Sequence, residues 1–309
     1  MSKRNGIKSE LIQSCRMEVL KNCPICGSEL FEPFISGKDY FLTGEAFGIV
    51  KCRSCGFRFT NPRPEASNLG KYYESTDYIS HSNTQKGLFA SVYQLVRKYT
   101  LGRKLSLIRR FQKNGEILDI GCATGQFLNF VKQNGWKTTG IEPDDKTRQK
   151  AISEYGLQVF PEENLDTFQK ASLDVITLWH VLEHVSGLNE RMAQLKFLLK
   201  TSGTLFIAVP NCNSFDAKIY GEFWAGYDLP RHLYHFTKAD MKLLAEKFGF
   251  KIVKILPMKF DSFYVSLLSE KYKSGKMRWL PAFWNGLLSN LKSMPVNGHS
   301  SLIYVLALK

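Results

Sequence analysis

From about residue 115 onward the chain alternates short apolar runs with helical patterns, and few folds accept that order. The runs Glu116–Ile120, Lys137–Ile141, Gln158–Phe160, Val175–Trp179, Thr204–Val209, Phe250–Leu256 and Ser301–Leu308 read as strands. Between them, Gly125–Gln133, Asp145–Tyr155, Leu188–Leu199 and Lys238–Phe248 read as helices. The last is opened by Thr237 as N-cap, with Asp240 three residues on. Short strands separated by helices predict an α/β fold: a doubly wound, mostly parallel seven-stranded sheet with helices on both faces. Two connections are longer than this plan needs, residues 210–236 and 257–300. Long connections in compact domains are usually lids or binding loops. The second carries Trp279, Phe283 and Trp284 among lysines and arginines.

The run Ile117–Ile120 passes directly into Gly121-Cys122-Ala123-Thr124-Gly125 and then a helix. Ligands of open parallel sheets bind at the carboxyl ends of the strands. Gly121 lets backbone approach a ligand without a Cβ, Cys122 is a small residue in the turn, and Gly125 opens a helix whose amides can meet a carboxylate. A dinucleotide site needs G-x-G-x-x-G. Here the middle glycine is missing, so a pyrophosphate is poorly cradled. Glu142, ending the next strand in Gly140-Ile141-Glu142-Pro143, sits 21 residues after Gly121, and its carboxylate can accept hydrogen bonds from both hydroxyls of a ribose.

Asp119–Gly125 and Gly140–Asp144 resemble the first two motifs of the class I, Rossmann-like methyltransferases, and Leu173–Val185 is similar to their fourth. The resemblance covers roughly residues 65–309 and implies S-adenosylmethionine as cofactor. By position it implies that Glu142, followed by Pro143, holds the ribose, and that Gly121 and Gly125 flank the methionine part. Asp119 is expected to organise the turn and the cofactor amino group. Asn164 and Leu165 are expected near the adenine, and Trp179 and His180 facing cofactor or acceptor. An aromatic or basic residue upstream of the first motif often touches the methionine carboxylate in such proteins, which makes Tyr73 a candidate in the stretch Tyr72, Tyr73, Tyr78, His81.

Methyl transfer to oxygen or carbon needs alignment and a proton acceptor. His180, Glu183 and His184 cluster after the fourth motif. His180 is a candidate base, or with its neighbours a metal ligand; a structural helix start is the plainer reading of His184. The stretch Tyr227-Asp228-Leu229-Pro230-Arg231-His232 resembles one found in many bacterial small-molecule methyltransferases. His232 is the leading candidate base there. Arg231, Tyr227 and the preceding Trp224 are candidates for holding the acceptor. The competing reading is that Arg231 and His232 tie the loop to the domain by hydrogen bonds.

Upstream, Cys23-Pro24-Ile25-Cys26-Gly27 and Cys52-Arg53-Ser54-Cys55-Gly56 form two C-x-x-C-G knuckles with 25 residues between the pairs. Four thiolates so spaced predict a closed, structural zinc site. The organisation expected is a polar tail (1–21), a zinc-ribbon-like β module (22–64), a helical cap or linker of two helices broken near Gly102 (65–112) and the methyltransferase domain (113–309). The polar start lacks the apolar centre of a signal peptide, and no apolar run approaches the ~20 residues of a membrane span, so a cytoplasmic protein with reduced thiols is expected. A net charge of +14 fits an anionic partner as well as a solvated surface. Three functions stay open. The first is methylation of a small or carrier-linked acceptor, for example a sugar of a surface polysaccharide or secondary-metabolite pathway. The second is methylation of RNA through the zinc module, against which stands the scarcity of stacking aromatics (Phe57, Phe59) among Lys51, Arg53, Arg58 and Arg63. The third is a non-catalytic, cofactor-binding scaffold.

Overall fold

The computed structural model describes residues 17–73, 88–293 and 298–309; Cys15, Tyr78 and His81 lie outside them. The amino-terminal module is built of strands of two to eight residues. β1 (Met17–Glu18) pairs with β5 (Arg63–Pro64), and β2 (Phe31–Lys38), β3 (Ala46–Cys52) and β4 (Arg58–Thr60) form an antiparallel meander. A 3₁₀ segment, Ala66–Tyr73, leads out of it. Helix α1 (Leu88–Arg109) is one continuous helix of 22 residues, where two were expected. Nothing lies within 4 Å of a Cβ placed on Gly102, so that glycine weakens the helix without breaking it.

The main sheet follows the predicted alternation: β6 (Glu116–Ile120), α2 (Gln126–Gln133), β7 (Lys137–Ile141), α3 (Asp145–Tyr155), β8 (Val159–Phe160), β9 (Leu173–Trp179), α4 (Leu188–Leu198), β10 (Leu199–Pro210). After β10 come α5 (Phe215–Tyr220), the two-residue β11 (Tyr234–His235), α6 (Lys238–Lys247), β12 (Phe250–Pro257), α7 (Asp261–Ser274), α8 (Trp279–Ser293) and β13 (Ser301–Leu308). The predicted capping box at α6 is present, with Thr237 and Asp240 satisfying each other's backbone amides.

Seven strands pair in the order β12-β13-β10-β9-β6-β7-β8, and only β13 runs antiparallel to its neighbours. Strand order reverses between β6 and β9, which opens the crevice where doubly wound sheets bind ligands. The mostly parallel α/β sheet is thus as expected. The surprise is β11, contributed by the long connection after β10. It leaves the main sheet and pairs with β4 of the cysteine module, Tyr234 opposite Phe59 and His235 opposite Arg58. One apolar cluster accordingly runs from Cys52, Phe57 and Phe59 through Tyr234 and Phe236 into Leu205 and Leu306 of the main sheet.

Candidate active site

The turn after β6 is shaped by packing and by one carboxylate. Gly121 has φ +70°, and a Cβ there would lie 2.4 Å from Val181 Cγ2. Gly125 has φ +76°, and its Cβ would meet Leu157 Cδ1 at 2.5 Å. Both glycines are therefore required by neighbouring side chains and by left-handed backbone, and not only by the approach of a ligand. Glu142, at the end of β7, accepts a bond from Ala123 N with Oε2 (3.0 Å) and from Asp144 N with Oε1 (3.0 Å). Each oxygen keeps a lone pair, so the carboxylate can still take ribose hydroxyls. Burial raises its pKa. Pro143 links it to Asp144, which caps α3. The Cys122 side chain lies against Gly140, whose Cβ would fall 2.7 Å from its sulfur.

Asp119 is buried and accepts a 2.6 Å bond from Thr177 Oγ1. Burial pushes its pKa up to about 7, against the opposing pull of Thr177 and Lys104. Lys104, on α1, was not singled out from the sequence. Its ammonium stands 4.1 Å from the Trp179 ring centroid and 5.5 Å from that of Phe127. Burial lowers its pKa to about 8, although Asp119 and Asp261 oppose the shift. Trp179 is half-buried at the carboxyl end of β9, and its Nε1 has no partner among the described residues. Leu165 is buried on a 3₁₀ segment after β8 and, with Glu162, Asp166, Val185 and Glu190, lines an open cleft of about 760 Å³; Asn164 lies beside it. An orphaned indole N–H, a two-acceptor carboxylate, a cation and a buried aspartate along one sheet edge fit a cofactor bearing hydroxyls, an amine and a carboxylate.

Residues 180–184 connect this edge to the loop carrying Arg231 and His232. His180 has φ +59°, a strained conformation for a non-glycine residue. Its Nδ1 is 3.2 Å from Glu183 Oε1 and its Nε2 3.0 Å from Asp261 Oδ2 on α7. Burial disfavours the cation, but the two carboxylates outweigh it and raise the pKa to about 10. Held between two carboxylates, His180 favours the imidazolium form in the empty protein. Glu183 Oε2 is buried without a partner among the described residues. His184 Nδ1 meets Arg231 O (3.1 Å) and the Tyr73 hydroxyl (2.8 Å). Burial, then the neighbouring His232, lowers its pKa to about 4. Tyr73 thus turns its hydroxyl to His184.

His232 is gripped from several directions. Its Nδ1–H donates to Gly226 O (2.9 Å), its carbonyl accepts from Thr60 Oγ1 (2.8 Å), and the next amide, Leu233 N, donates to Glu183 O (2.7 Å). With Nδ1 so engaged, Nε2 carries the lone pair; the nearest carboxylate oxygen, Asp228 Oδ2, lies 3.9 Å from it. Glu183, His184 and His232 each bring one donor atom within 4.8 Å of the others.

Arg231 is held by contacts within the protein, as the loop-tying reading expects, and also lines a narrow crevice. Its Nε and Nη2 form a bidentate pair with Asp228, Nη2 also reaches Asp39 Oδ1 (3.1 Å), and Nη1 donates to Tyr72 O (3.0 Å). The guanidinium is an internal strut between the module and the loop. Trp224 and Tyr227 are likewise nearly inaccessible: Trp224 Nε1 donates to Asp216 (2.8 Å), and the two rings pack edge-on at 4.9 Å. They line, with Lys38 and Tyr40 of the module, Glu222, Asp228, Arg231 and Tyr272 of α7, the same narrow crevice of about 10 Å³, room for about one water. Lys38, Tyr40 and Tyr272 were missed because each lies far away in sequence.

In the module, Cys23 Sγ is 3.6 Å from Cys55 Sγ, Cys26 Sγ is 3.5 Å from Cys52 Sγ, and all four sulfurs lie within 4.8 Å of one another. A tetrahedral ion with bonds of about 2.3 Å needs sulfurs about 3.8 Å apart, so the four thiols fit a zinc ion.

Residues 93–255 match the methyltransferase-domain family. Among curated proteins the chain is similar to the ubiquinone biosynthesis O-methyltransferases of Bordetella avium (34% identity over 40% of this chain and 56% of the relative) and Nitrosococcus oceani (28% over 52% and 71%). The first match thus spans little more than half of that relative's length. Among solved structures, magnesium protoporphyrin IX methyltransferase from Synechocystis PCC 6803 superposes with a TM-score of 0.53 at 13% identity, over 79% of this chain and all of that one, and shares the fold. Sheet order, glycine turn, strand-end acid and sequence match agree: the chain belongs to the methyltransferase-domain family, with the class I, Rossmann-like fold.

Proposed function

We propose that this protein transfers a methyl group from S-adenosylmethionine to a hydroxyl of a small or carrier-linked acceptor, such as a sugar. The observation that carries this reading is the physical link between the glycine turn and His232. Val181 packs on Gly121, and Glu183, two residues on, holds the backbone beside His232. Bound S-adenosylmethionine supplies an electrophilic methyl group. Glu142 holds the ribose, Asp119 the amino group and Lys104 the carboxylate, while Leu165 and Asn164 border the adenine. His232, its tautomer set by Gly226, takes the acceptor proton at Nε2. The imidazolium of His180 stays fixed between Glu183 and Asp261 and orients both. The narrow crevice of Lys38, Tyr40 and Tyr272, with room for about one water-sized group, takes a single polar group of the acceptor, and a zinc ion on Cys23, Cys26, Cys52 and Cys55 keeps the module folded.

The similarity to named O-methyltransferases supports oxygen as the acceptor atom. Against RNA stands the engagement of the module's basic residues within the protein: Lys51 and Arg53 pair at the surface with Glu32, Arg58 stacks on Phe34 and Arg63 is buried with Glu18 and Tyr234. Phe57 and Phe59 are fully buried and present no stacking surface.

Calorimetry with S-adenosylmethionine tests the cofactor half. The unmutated chain binds, and Glu142→Ala binds at least about tenfold more weakly, the loss of one or two hydrogen bonds to a charged acceptor. Absence of binding by the unmutated chain overturns the reading. For the acceptor half, His232→Ala keeps cofactor affinity and lowers turnover about 10²- to 10⁴-fold; unchanged turnover removes His232 as the base, and cofactor binding with no turnover on any acceptor fraction favours the scaffold.

A further inference from the structure

The α7–α8 hairpin lies beyond residues 93–255, the span shared with the family, and it is built the wrong way round for a soluble helix pair. The buried face of α8 is Ala282, Gly286, Ser289 and Ser293; that of α7 includes Ser262, Ser266 and Ser269. The helices approach so closely that a Cβ on Gly286 would lie 3.0 Å from Phe263 Cα. Polar contacts also point inward: Ser289 donates to Asp216, Asn285 to Tyr220 and Asn290 to Ser262. The large apolar residues point outward, with Trp279 61%, Leu280 75%, Phe283 51% and Trp284 58% exposed. Small residues between helices and large ones outside is the packing habit of helices in lipid.

The charges around this face have one sign. Lys259, Lys271, Lys273, Lys276, Arg278 and Lys292 are all exposed. The only acids in residues 258–293 are Asp261, paired with His180, and Glu270, which is buried. A second copy of the chain set against this face would bring its cations against their like. An anionic surface answers both the charge and the aromatic–aliphatic face, the composition of helices that lie in the membrane interface. No described helix is long and apolar enough to cross a bilayer, so any contact of the hairpin with lipid is interfacial. Its attachment to the catalytic edge is direct: Asp261 at the start of α7 holds His180, and Tyr272 lines the acceptor crevice.

We infer that α7 and α8 form a docking surface for an anionic lipid bilayer, which sets the acceptor crevice beside the membrane. The test is sedimentation of the full chain with vesicles of phosphatidylcholine alone or with about a quarter phosphatidylglycerol, together with tryptophan emission. Of the five tryptophans Trp279 and Trp284 are exposed, Trp136 and Trp224 buried and Trp179 half-buried, so a blue shift on adding vesicles that W279F/W284F abolishes reports this face. Binding is expected to the anionic vesicles, weakening as salt rises, and falling at least about tenfold in F283E/W284E and in L280E. Thermal melting and calorimetry with S-adenosylmethionine identify which variants remain folded. The inference is overturned if the anionic vesicles are not bound at low salt, or if both folded variants bind like the parent. It is equally overturned if the parent is a dimer that F283E/W284E converts to monomer without vesicle binding by either form.

Discussion

Replacing Arg231 by leucine separates two roles that its sequence context leaves open. A guanidinium that holds the acceptor is dispensable to the empty protein; a strut is not. In the structure Arg231 makes two bonds to Asp228 (3.0 and 2.7 Å), one to Asp39 (3.1 Å) and one to Tyr72 O (3.0 Å), with its side chain 2% exposed. Asp39 also accepts from the amides of Phe41, Leu42 and Thr43 and from the Thr43 hydroxyl, so it survives the substitution largely satisfied. The damage falls on Asp228 and on the Tyr72 carbonyl. Removing one partner of a buried ion pair costs about 3–5 kcal/mol; at about 2 °C per kcal/mol for a chain of this size, the melting temperature falls by roughly 6–10 °C. Arg231→Lys keeps the charge, loses the planar fork and lies in between. Calorimetric melting of the three proteins decides the matter. A fall below about 2 °C for the leucine variant, accompanied by a raised KM, returns Arg231 to the acceptor.

Cofactor affinity is expected to be greatest between about pH 7 and 8. Below that window Asp119, with its pKa pushed up to about 7, is protonated and loses its attraction for the amine; above it Lys104, at about 8, discharges and loses the carboxylate. Titration calorimetry across pH checks this, and Lys104→Met is expected to abolish the alkaline fall. His180 supplies a second pH dependence. Its folded pKa is raised from 6.5 to about 10, so the stability it contributes is fully present below about 6.5 and is lost as pH rises through 10; melting temperatures of His180→Gln should show a shallower alkaline decline than the parent. Elemental analysis should find one zinc per chain, and a strong chelator should release hydrogen-exchange protection at Tyr234 and His235 along with that of β3 and β4.

The features readable from the sequence were those whose partners lie close in the chain or whose spacing is set by local geometry. Gly121, Gly125 and Glu142 declare themselves because one strand, one turn and the next strand end bring them together. The paired knuckles at Cys23 and Cys52 do so because two tight turns suffice to aim four thiols. What stayed hidden depends on distant contacts. Two residues, Tyr234 and His235, are too short a run to signal a strand, and their pairing partners in β4, Phe59 and Arg58, lie over 170 positions away. Lys104 looks like any surface lysine until α1 lays it over Trp179. Trp224 and Tyr227 beside Arg231 and His232 have the composition of a binding pocket, yet the rings serve the core behind it. In α8 the aromatic stripe was visible, but periodicity states only that a helix has two faces, not which one is turned to solvent.

The two-residue strand β11 also constrains how such proteins can be recombined. Its hydrogen bonds to β4 make the segment carrying His232 the outermost strand of the module's own sheet. A chimera that exchanges residues 22–64 alone therefore changes the template against which His232 is laid, even though no residue of the methyltransferase domain is altered. Grafts that keep this strand pairing carry residues 22–64 and 210–236 as a single inherited cassette, and swaps of either piece alone are expected to displace His232.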